Sequence, residues 1–498
     1  MMSFKKIQNT IQNSRSRENE EVIKSIPLMI LAFVMILPVL YYARKSFPAG
    51  DDFVYAASMR RYLADHGSYL AAAWHENVDY YKSFSGLYFV TFLNCLISPL
   101  LRGGTRGIRI VNTILQTVSI ACLFVLVRTF VRDILRKGSR MTWFLFCVLL
   151  FAIINNAANS QIYTWFCILV GYNLPVGIIL LGVAFLIHAY ATDNAKLYIP
   201  AAFCAFLGSG ASLNITVLNC GLFLIYCCYG FVILQKKKGS LAVFLSAMAG
   251  GIINAVCPGN FTRHDSMSNG INLVAVIRKS AMYSLDRIIN RLFNPAFLVI
   301  LIVLFVVLLI SIDYSECSFN FRYLIPGALI VWFGVFLVDL PVFMGYGGTS
   351  IPDRCKFVQD MTIYLLSFLW LLYFTGWVKK RFGNFVFSNE HGMILAVILI
   401  LSLSISINME DDGIMHFGTP YMISTIVNGD LEDYVHFEYG LMDRIRDYDG
   451  ADVVFDPGEI PYNPYIQYLY IDTDPEHWMN QALAEYYGKN TVRVEYND

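Results

Sequence analysis

Long apolar runs separated by short polar connections fill most of the 498 residues. Runs close to the ~17–25 residues of a helical membrane crossing fall at approximately 26–43, 108–127, 142–156, 172–191, 198–212, 215–234, 240–256, 295–312, 323–340, 361–378 and 392–408. They predict an all-α polytopic membrane protein with about eleven transmembrane helices. Leu87–Leu101 is apolar but short, and reads as a juxtamembrane or re-entrant helix. After the first run the pattern turns amphipathic. Gly50-Asp51-Asp52 precedes a helix over Phe53–His66 that Gly67 closes. A second helix sets Leu70, Trp74, Asn77, Tyr81 and Phe84 on one face and His75, Asp79 and Lys82 on the other, as in helices that lie in the membrane interface. Residues 271–292 repeat the theme, with Val274, Ile277, Ala281, Leu285, Ile288 and Leu292 against Lys279, Arg287 and Arg291. Beyond the last run a helix (Val435–Asp447), a strand (Asp452–Phe455), a helix (Pro475–Tyr487) and a strand (Thr491–Glu495) predict a small C-terminal α/β domain over 409–498.

Composition agrees with that pattern and adds an orientation. A mean hydropathy of +0.53 with 15% charged residues lies outside soluble globular usage. The net charge is zero, yet from Glu410 onward there are 19 acidic and 4 basic residues. The tail is therefore a compositionally separate, acidic unit. Basic clusters at Lys5/Lys6/Arg15/Arg17/Lys24, Arg128–Arg140, Lys236–Lys238 and Lys379–Arg381 occupy short connections. Positive charge favours the cytoplasmic side. This places the N-terminal tail 1–25 inside, the transmembrane domain over 26–408, and loops 44–107, 257–294 and 341–360 outside with the domain 409–498. Ile26–Ala43 shows no small-residue cleavage pattern and reads as a signal anchor in the cell membrane.

Eleven cysteines include no CxxC pair and no Cys/His ligand spacing, so neither a zinc site nor a disulfide framework is expected, while a divalent-metal requirement is left open by residue type. No glycine-rich phosphate loop or dinucleotide fingerprint occurs, and neither a cofactor nor nucleic acid is an expected partner.

Candidate chemistry gathers on the predicted outer face. Two adjacent carboxylates, Asp51 and Asp52, follow the first span directly. One is expected to cap the next helix. The other suits a general base near a lipid head group, its pKa raised by desolvation and by its neighbour. Residue type does not separate the two roles. In Cys257-Pro258-Gly259-Asn260-Phe261-Thr262-Arg263-His264 a turn signal leaves a span. Arg263 can grip a lipid phosphate bidentately, with His264 as helper and Asn260 in the same turn. Arg354 serves equally as an anchor or a phosphate ligand, while Lys279, Arg287 and Arg291 suit lipid-facing positions, Lys279 also as a substrate contact. The broken segment holding Trp165, Tyr172 and Asn173 fits an aromatic belt or a sugar site. Ser212 and Asn214 offer further polar contacts, Asp339 is a weaker candidate acid, and His188 reads as structural. The cores of the spans carry almost no ionisable side chain, unlike carriers and pumps.

An outer loop opening with Asp51-Asp52-Phe53, then Ser85-Gly86-Leu87-Tyr88, then Arg109-Ile110-Val111-Asn112, resembles the GT-C superfamily of membrane glycosyltransferases. It is most similar to a bacterial group with a Gly-Asp-Asp-Phe loop, a Trp-Ser-Gly-Arg-Tyr stretch, a Pro-Gly-Asn turn followed by Arg, and a Trp-x-Asn tail element, here Trp478-Met479-Asn480. The chain departs at two positions, Phe84 for the Trp and Leu87 for the Arg. The resemblance implies inverting transfer of a sugar from a polyprenyl-phosphate donor to a glycan, lipid or protein acceptor outside the membrane, with Asp51 or Asp52 as base. Arg263 and Arg354 would sit at the phosphate, with Tyr88 among the substrate contacts. Other readings are a non-enzymatic exporter of lipid-linked glycan or a structural component of a surface-polymer assembly.

Overall fold

A helix that is apolar all round can be satisfied only by other helices or by lipid, because its backbone bonds are already internal. The computed structural model describes residues 4–155, 161–235, 237–267, 272–314, 321–345, 351–383, 415 and 417–496. Its helices are α1 Phe4–Lys45, α2 Asp51–His66, α3 Tyr69–Ser83, α4 Tyr88–Ile97, α5 Pro99–Asp133, α6 Ser139–Asn155, α7 Leu174–Thr192, α8 Tyr198–Gly208, α9 Leu213–Val232 and α10 Lys237–Ala255. They continue with α11 Pro258–Met267, α12 Leu273–Leu292, α13 Pro295–Ser311, α14 Leu324–Gly345, α15 Asp353–Phe382, α16 Gly418–Asn428, α17 Asp430–Asp447 and α18 Trp478–Tyr487.

Seven stretches among the described residues are long and apolar enough to cross a membrane: Glu20–Lys45, Pro99–Asp133, Phe166–Thr192, Leu213–Val232, Lys238–Ala255, Leu324–Gly345 and Asp353–Phe382. An eighth results if Leu273–Leu292 and Phe297–Ser311, bent 73° to one another, act as one. The chain is thus a polytopic, all-α membrane protein in its main body. The expected spans at 142–156 and 198–212 correspond to the shorter helices Ser139–Asn155 and Ala195–Gly208, and 295–312 to half of the bent pair. The one expected at 392–408 lies outside the described residues. Helix α4, 10 residues long, rises only about 15 Å and does not cross. Ser98 ends it in a left-handed conformation before α5 begins.

The basic clusters meet at one end of the bundle. Ser25 Oγ lies 3.3 Å from Ser139 Oγ, and His188 Nδ1 is 2.8 Å from Asp133, whose other partner is Arg132. The Tyr190 hydroxyl donates to Ser240 at 2.9 Å, and Lys379 stands within electrostatic reach of Lys137. His188 is structural here, as expected.

At the opposite end, strands β1 Asp452–Phe455 and β2 Thr491–Val494 pair in parallel, Asp452 against Thr491. In the chain α17 precedes β1 and α18 precedes β2, in the order expected. These elements dock directly on the helical body. Tyr42 and Thr425 hydroxyls are 2.6 Å apart, Thr419 N–H donates to Asn155 at 2.8 Å, and Gln467 N–H donates to the Thr164 hydroxyl at 2.9 Å. Phe53 of α2, fully buried, meets the Tyr486 ring at 5.2 Å.

Candidate functional site

The site is built where α2 starts. Gly50 holds φ at 40°, and Asp51 and Asp52 form the first turn of α2, where carboxylates oppose the positive end of the helix dipole. Neither side chain caps α2. Asp52, 3% exposed, instead reaches backward and sideways: Ala49 N–H donates to Oδ2 and Cys167 N–H to Oδ1, each at 3.0 Å. It ties the turn before α2 to the short helical turn Phe166–Ile168. Burial pushes its carboxyl up to about 7, against the hydrogen bonds from Cys167 and Ala49.

Asp51 is half-buried, and its carboxylate makes no hydrogen bond among the described residues. Burial raises its pKa above the ordinary carboxylate value, and the guanidinium groups of Arg354 and then Arg263 draw it back down. Asp51 therefore lies within electrostatic reach of Arg263 and Arg354, although the three come from separate parts of the chain. Asp52 stands next to them as a strut.

No protein-family model and no curated protein matches this chain.

Two glycine-bearing turns place Arg263. A β-carbon on Gly259 would collide with the Phe84 backbone nitrogen, and one on Gly86 with the Asn254 carbonyl. Bare backbones therefore pack where the Ser85-Gly86 turn meets the Pro258-Gly259-Asn260 turn. Asn260 is part of this lock. Its Oδ1 accepts from Ser85 Oγ and Gly86 N–H, each at 3.3 Å, and its Nδ2 donates to the Asn254 carbonyl at 2.7 Å. Arg263, one turn further along α11, then lies over the Phe84 ring with its guanidinium carbon 5.0 Å from the centroid. Arg354 starts α15, where its backbone N–H donates to Gln161 Oε1 at 3.2 Å and its guanidinium stands 6.0 Å from the Trp165 ring.

Trp165 borders the site. A β-carbon on Gly50 would lie 3.0 Å from Trp165 Cζ2 and 3.5 Å from Trp478 Cη2. Trp165 is buried and its indole N–H has no hydrogen-bond partner among the described residues, whereas Trp478 is 44% exposed. Asn480 is the reason Trp478 can sit there. Fully buried, it accepts Asp472 N–H at 2.9 Å and donates to the Asp472 and Asp474 carbonyls, each at 2.8 Å. The Trp-x-Asn element thus divides into a ring at the site and an amide that fixes its loop. Tyr172 joins through its hydroxyl, 3.7 Å from Cys355 Sγ, and Cys355 lies in the field of both arginines.

Other expected site residues sit elsewhere. The Tyr88 hydroxyl donates to the Phe206 carbonyl at 2.6 Å, so its place is in helix packing rather than at Asp51. Asn173 donates to Gln116 Oε1 at 2.6 Å inside the bundle, and Asn260 is committed to the turn lock. Lys279 is exposed on α12, and no contact joins it to Asp51 among the described residues. The His264 side chain lies outside what the structure describes. Ser212 and Asn214 bond each other locally.

Two groups of residues were not anticipated. Tyr80 is half-buried near Asp51: desolvation and the Asp51 charge raise its hydroxyl pKa, while the bond to Tyr55 and the Arg263 charge lower it. Its spacing of three from Asn77 was the available signal. The second group corrects the expectation of uncharged spans. Arg287 of α12 forks onto Asp360 of α15 at 3.0 and 2.8 Å, and Arg291 adds a bond at 3.1 Å. Fully buried Asp339 accepts from Gln359 beside them. Arg287 and Arg291 are thus paired with a neighbouring helix rather than lipid-facing.

Proposed function

We propose that this protein is a GT-C-type membrane glycosyltransferase that moves a sugar from a polyprenyl-phosphate donor to an acceptor on the outer face, with inversion and with Asp51 as base. The observation that carries the reading is one carboxylate, without a hydrogen bond among the described residues, in the electrostatic field of two guanidinium groups. In the reaction the acceptor hydroxyl gives its proton to Asp51 as its oxygen attacks the anomeric carbon. The bond to the lipid phosphate breaks, and its electron pair leaves with the phosphate. That leaving group is stable as an anion, so no general acid is required, and Arg263 and Arg354 neutralise its developing charge. Leu87 occupies the position where the resembled group has Arg, and Arg354 offers a cation in compensation. The basic end of the bundle lies opposite the site, which supports a cytoplasmic basic end and an outward-facing Asp51.

The test is sugar transfer by purified protein in lipid nanodiscs, using a polyprenyl-phosphate sugar. Asp51→Asn is expected to lower turnover by a factor of about 10³ or more, since both base and charge are removed. Arg263→Lys and Arg354→Lys are expected to lose most activity because a point charge does not replace a fork. Full transfer by Asp51→Asn would exclude the mechanism. The acidic limb of the rate profile is expected above the ordinary carboxylate range, since the base works only when deprotonated and burial raises its pKa.

A second reading, export of a lipid-linked glycan, is favoured by the Arg287–Asp360–Arg291 cluster within the helices. It predicts that Asp360→Asn stops movement of lipid-linked glycan across proteoliposomes while Asp51→Asn does not.

A further inference from the structure

The C-terminal segment presents a row of aromatic rings that ends at the site. In Gln467-Tyr468-Leu469-Tyr470-Ile471 burial alternates: Leu469 and Ile471 are buried, while Tyr468 and Tyr470 are exposed by 44% and 36%. This period of two follows from an extended backbone. Leu469 N–H donates to the buried Glu438 at 2.9 Å, and the neighbouring Gln467 N–H is tied to Thr164. The two tyrosines are therefore held outward by bonds on their inner neighbours.

From there the rings continue without a gap. Tyr468 and Tyr470 centroids are 6.1 Å apart, Tyr470 and His477 5.5 Å, and His477 and Trp478 5.9 Å. Trp478 then meets Gly50, the residue before Asp51. Four rings thus form a row that ends against Gly50, next in the chain to Asp51. Exposed aromatic faces with hydroxyl and imidazole edges suit sugar rings, which pair an apolar face with equatorial hydroxyls. The rim is acidic: Asp472 accepts from the Tyr470 hydroxyl at 2.7 Å, and Asp474 and Glu476 follow. That charge would repel a polyanionic chain and accept a neutral or amino-bearing one.

We propose that Tyr468, Tyr470, His477 and Trp478 form a binding track for an extended, neutral or amino-sugar glycan whose terminal hydroxyl is delivered to Asp51. The track rests on the glycosyltransferase reading for its purpose and names the acceptor as a glycan chain rather than a protein or a simple lipid. The Trp165 ring also lies against Gly50, and its N–H, without a partner among the described residues, is a hydrogen-bond donor at the end of the track.

The full-length protein in nanodiscs would be titrated with linear hexamers of N-acetylglucosamine, glucose and mannose, and with an oligogalacturonate of equal length, by calorimetry and by saturation-transfer NMR. At least one neutral hexamer is expected to bind, more tightly than its dimer, and the oligogalacturonate is expected not to. Tyr470→Ala and Trp478→Ala are each expected to weaken binding about ten-fold, the size of one lost ring contact. Unchanged thermal unfolding would show that both variants are folded. Tyr468→Phe, which keeps the ring and loses only its hydroxyl edge, is expected to weaken binding less than either of these. Asp51→Asn is expected to bind the oligomer while losing transfer, which separates failure of the track from failure of the catalytic reading. The track is overturned if no neutral oligomer binds, if affinity is independent of length, or if the ring-removing variants bind as tightly as the parent.

Discussion

Asp51 and Asp52 are neighbours with different surroundings, and the difference assigns their work. Asp52 spends both oxygens on backbone N–H groups of Ala49 and Cys167, so its removal damages architecture. Asp52→Asn presents an amide to one of those N–H donors, leaving a buried group unsatisfied at a cost of about 1–3 kcal/mol. A clear fall in the detergent-solubilised melting temperature is expected for Asp52→Asn, and little change for Asp51→Asn. Glu438 gives a second residue-level outcome. It is fully buried, accepts Leu469 N–H, and burial raises it from an ordinary 4.5 to about 7. The folded chain therefore holds a proton that the unfolded chain releases earlier. The resulting stability is complete below the ordinary carboxylate range and is lost as pH rises toward 7. Melting curves from pH 4.5 to 7 are expected to show the parent losing more stability than Glu438→Gln, and parallel curves would contradict this.

Elements carry what single residues cannot. The turn lock between Ser85-Gly86 and Pro258-Gly259-Asn260 fixes the start of α11, and so the place of Arg263 relative to Asp51. Gly259→Ala forces a β-carbon onto the Phe84 backbone, overpacking that typically costs about 1–3 kcal/mol. It is expected to depress sugar transfer more than it depresses melting temperature, because Arg263 moves with the helix. Equal loss in both measurements would mean that the lock is merely structural. Much at this scale was legible in the sequence. The helix closed by Gly67, the strand Asp452–Phe455 and the tail order all follow from local periodicity and turn chemistry. The roles of the motif residues were not. Asn260 and Tyr88 carry groups that suit a ligand, yet they bond to the Ser85-Gly86 turn and to the Phe206 carbonyl, remote in sequence. Asp360, at the edge of the run 361–378, has no local signature, and its meaning depends on Arg287 and Arg291, 73 and 69 residues away.

At the scale of the whole molecule, charge separates the two ends of the bundle. The four basic clusters gather at one end, while Asp51, Arg263, Arg354 and the acidic C-terminal segment occupy the other. With cytoplasmic basic connections, a cysteine introduced at Arg136 or Lys380 is expected to react with a membrane-impermeant maleimide only after permeabilisation. One introduced at the exposed Thr473 is expected to react in intact cells. The reverse pattern would place Asp51 in the cytoplasm. The contact of Trp478 with Gly50 has a temporal consequence. Gly50 leaves the ribosome before, and Trp478 after, the described crossing helices that lie between them in the chain, so this contact closes only once those helices have been made. Under the glycosyltransferase reading proposed above, a chain still being threaded into the bilayer holds Asp51 without that ring, and transfer waits for the helices between them.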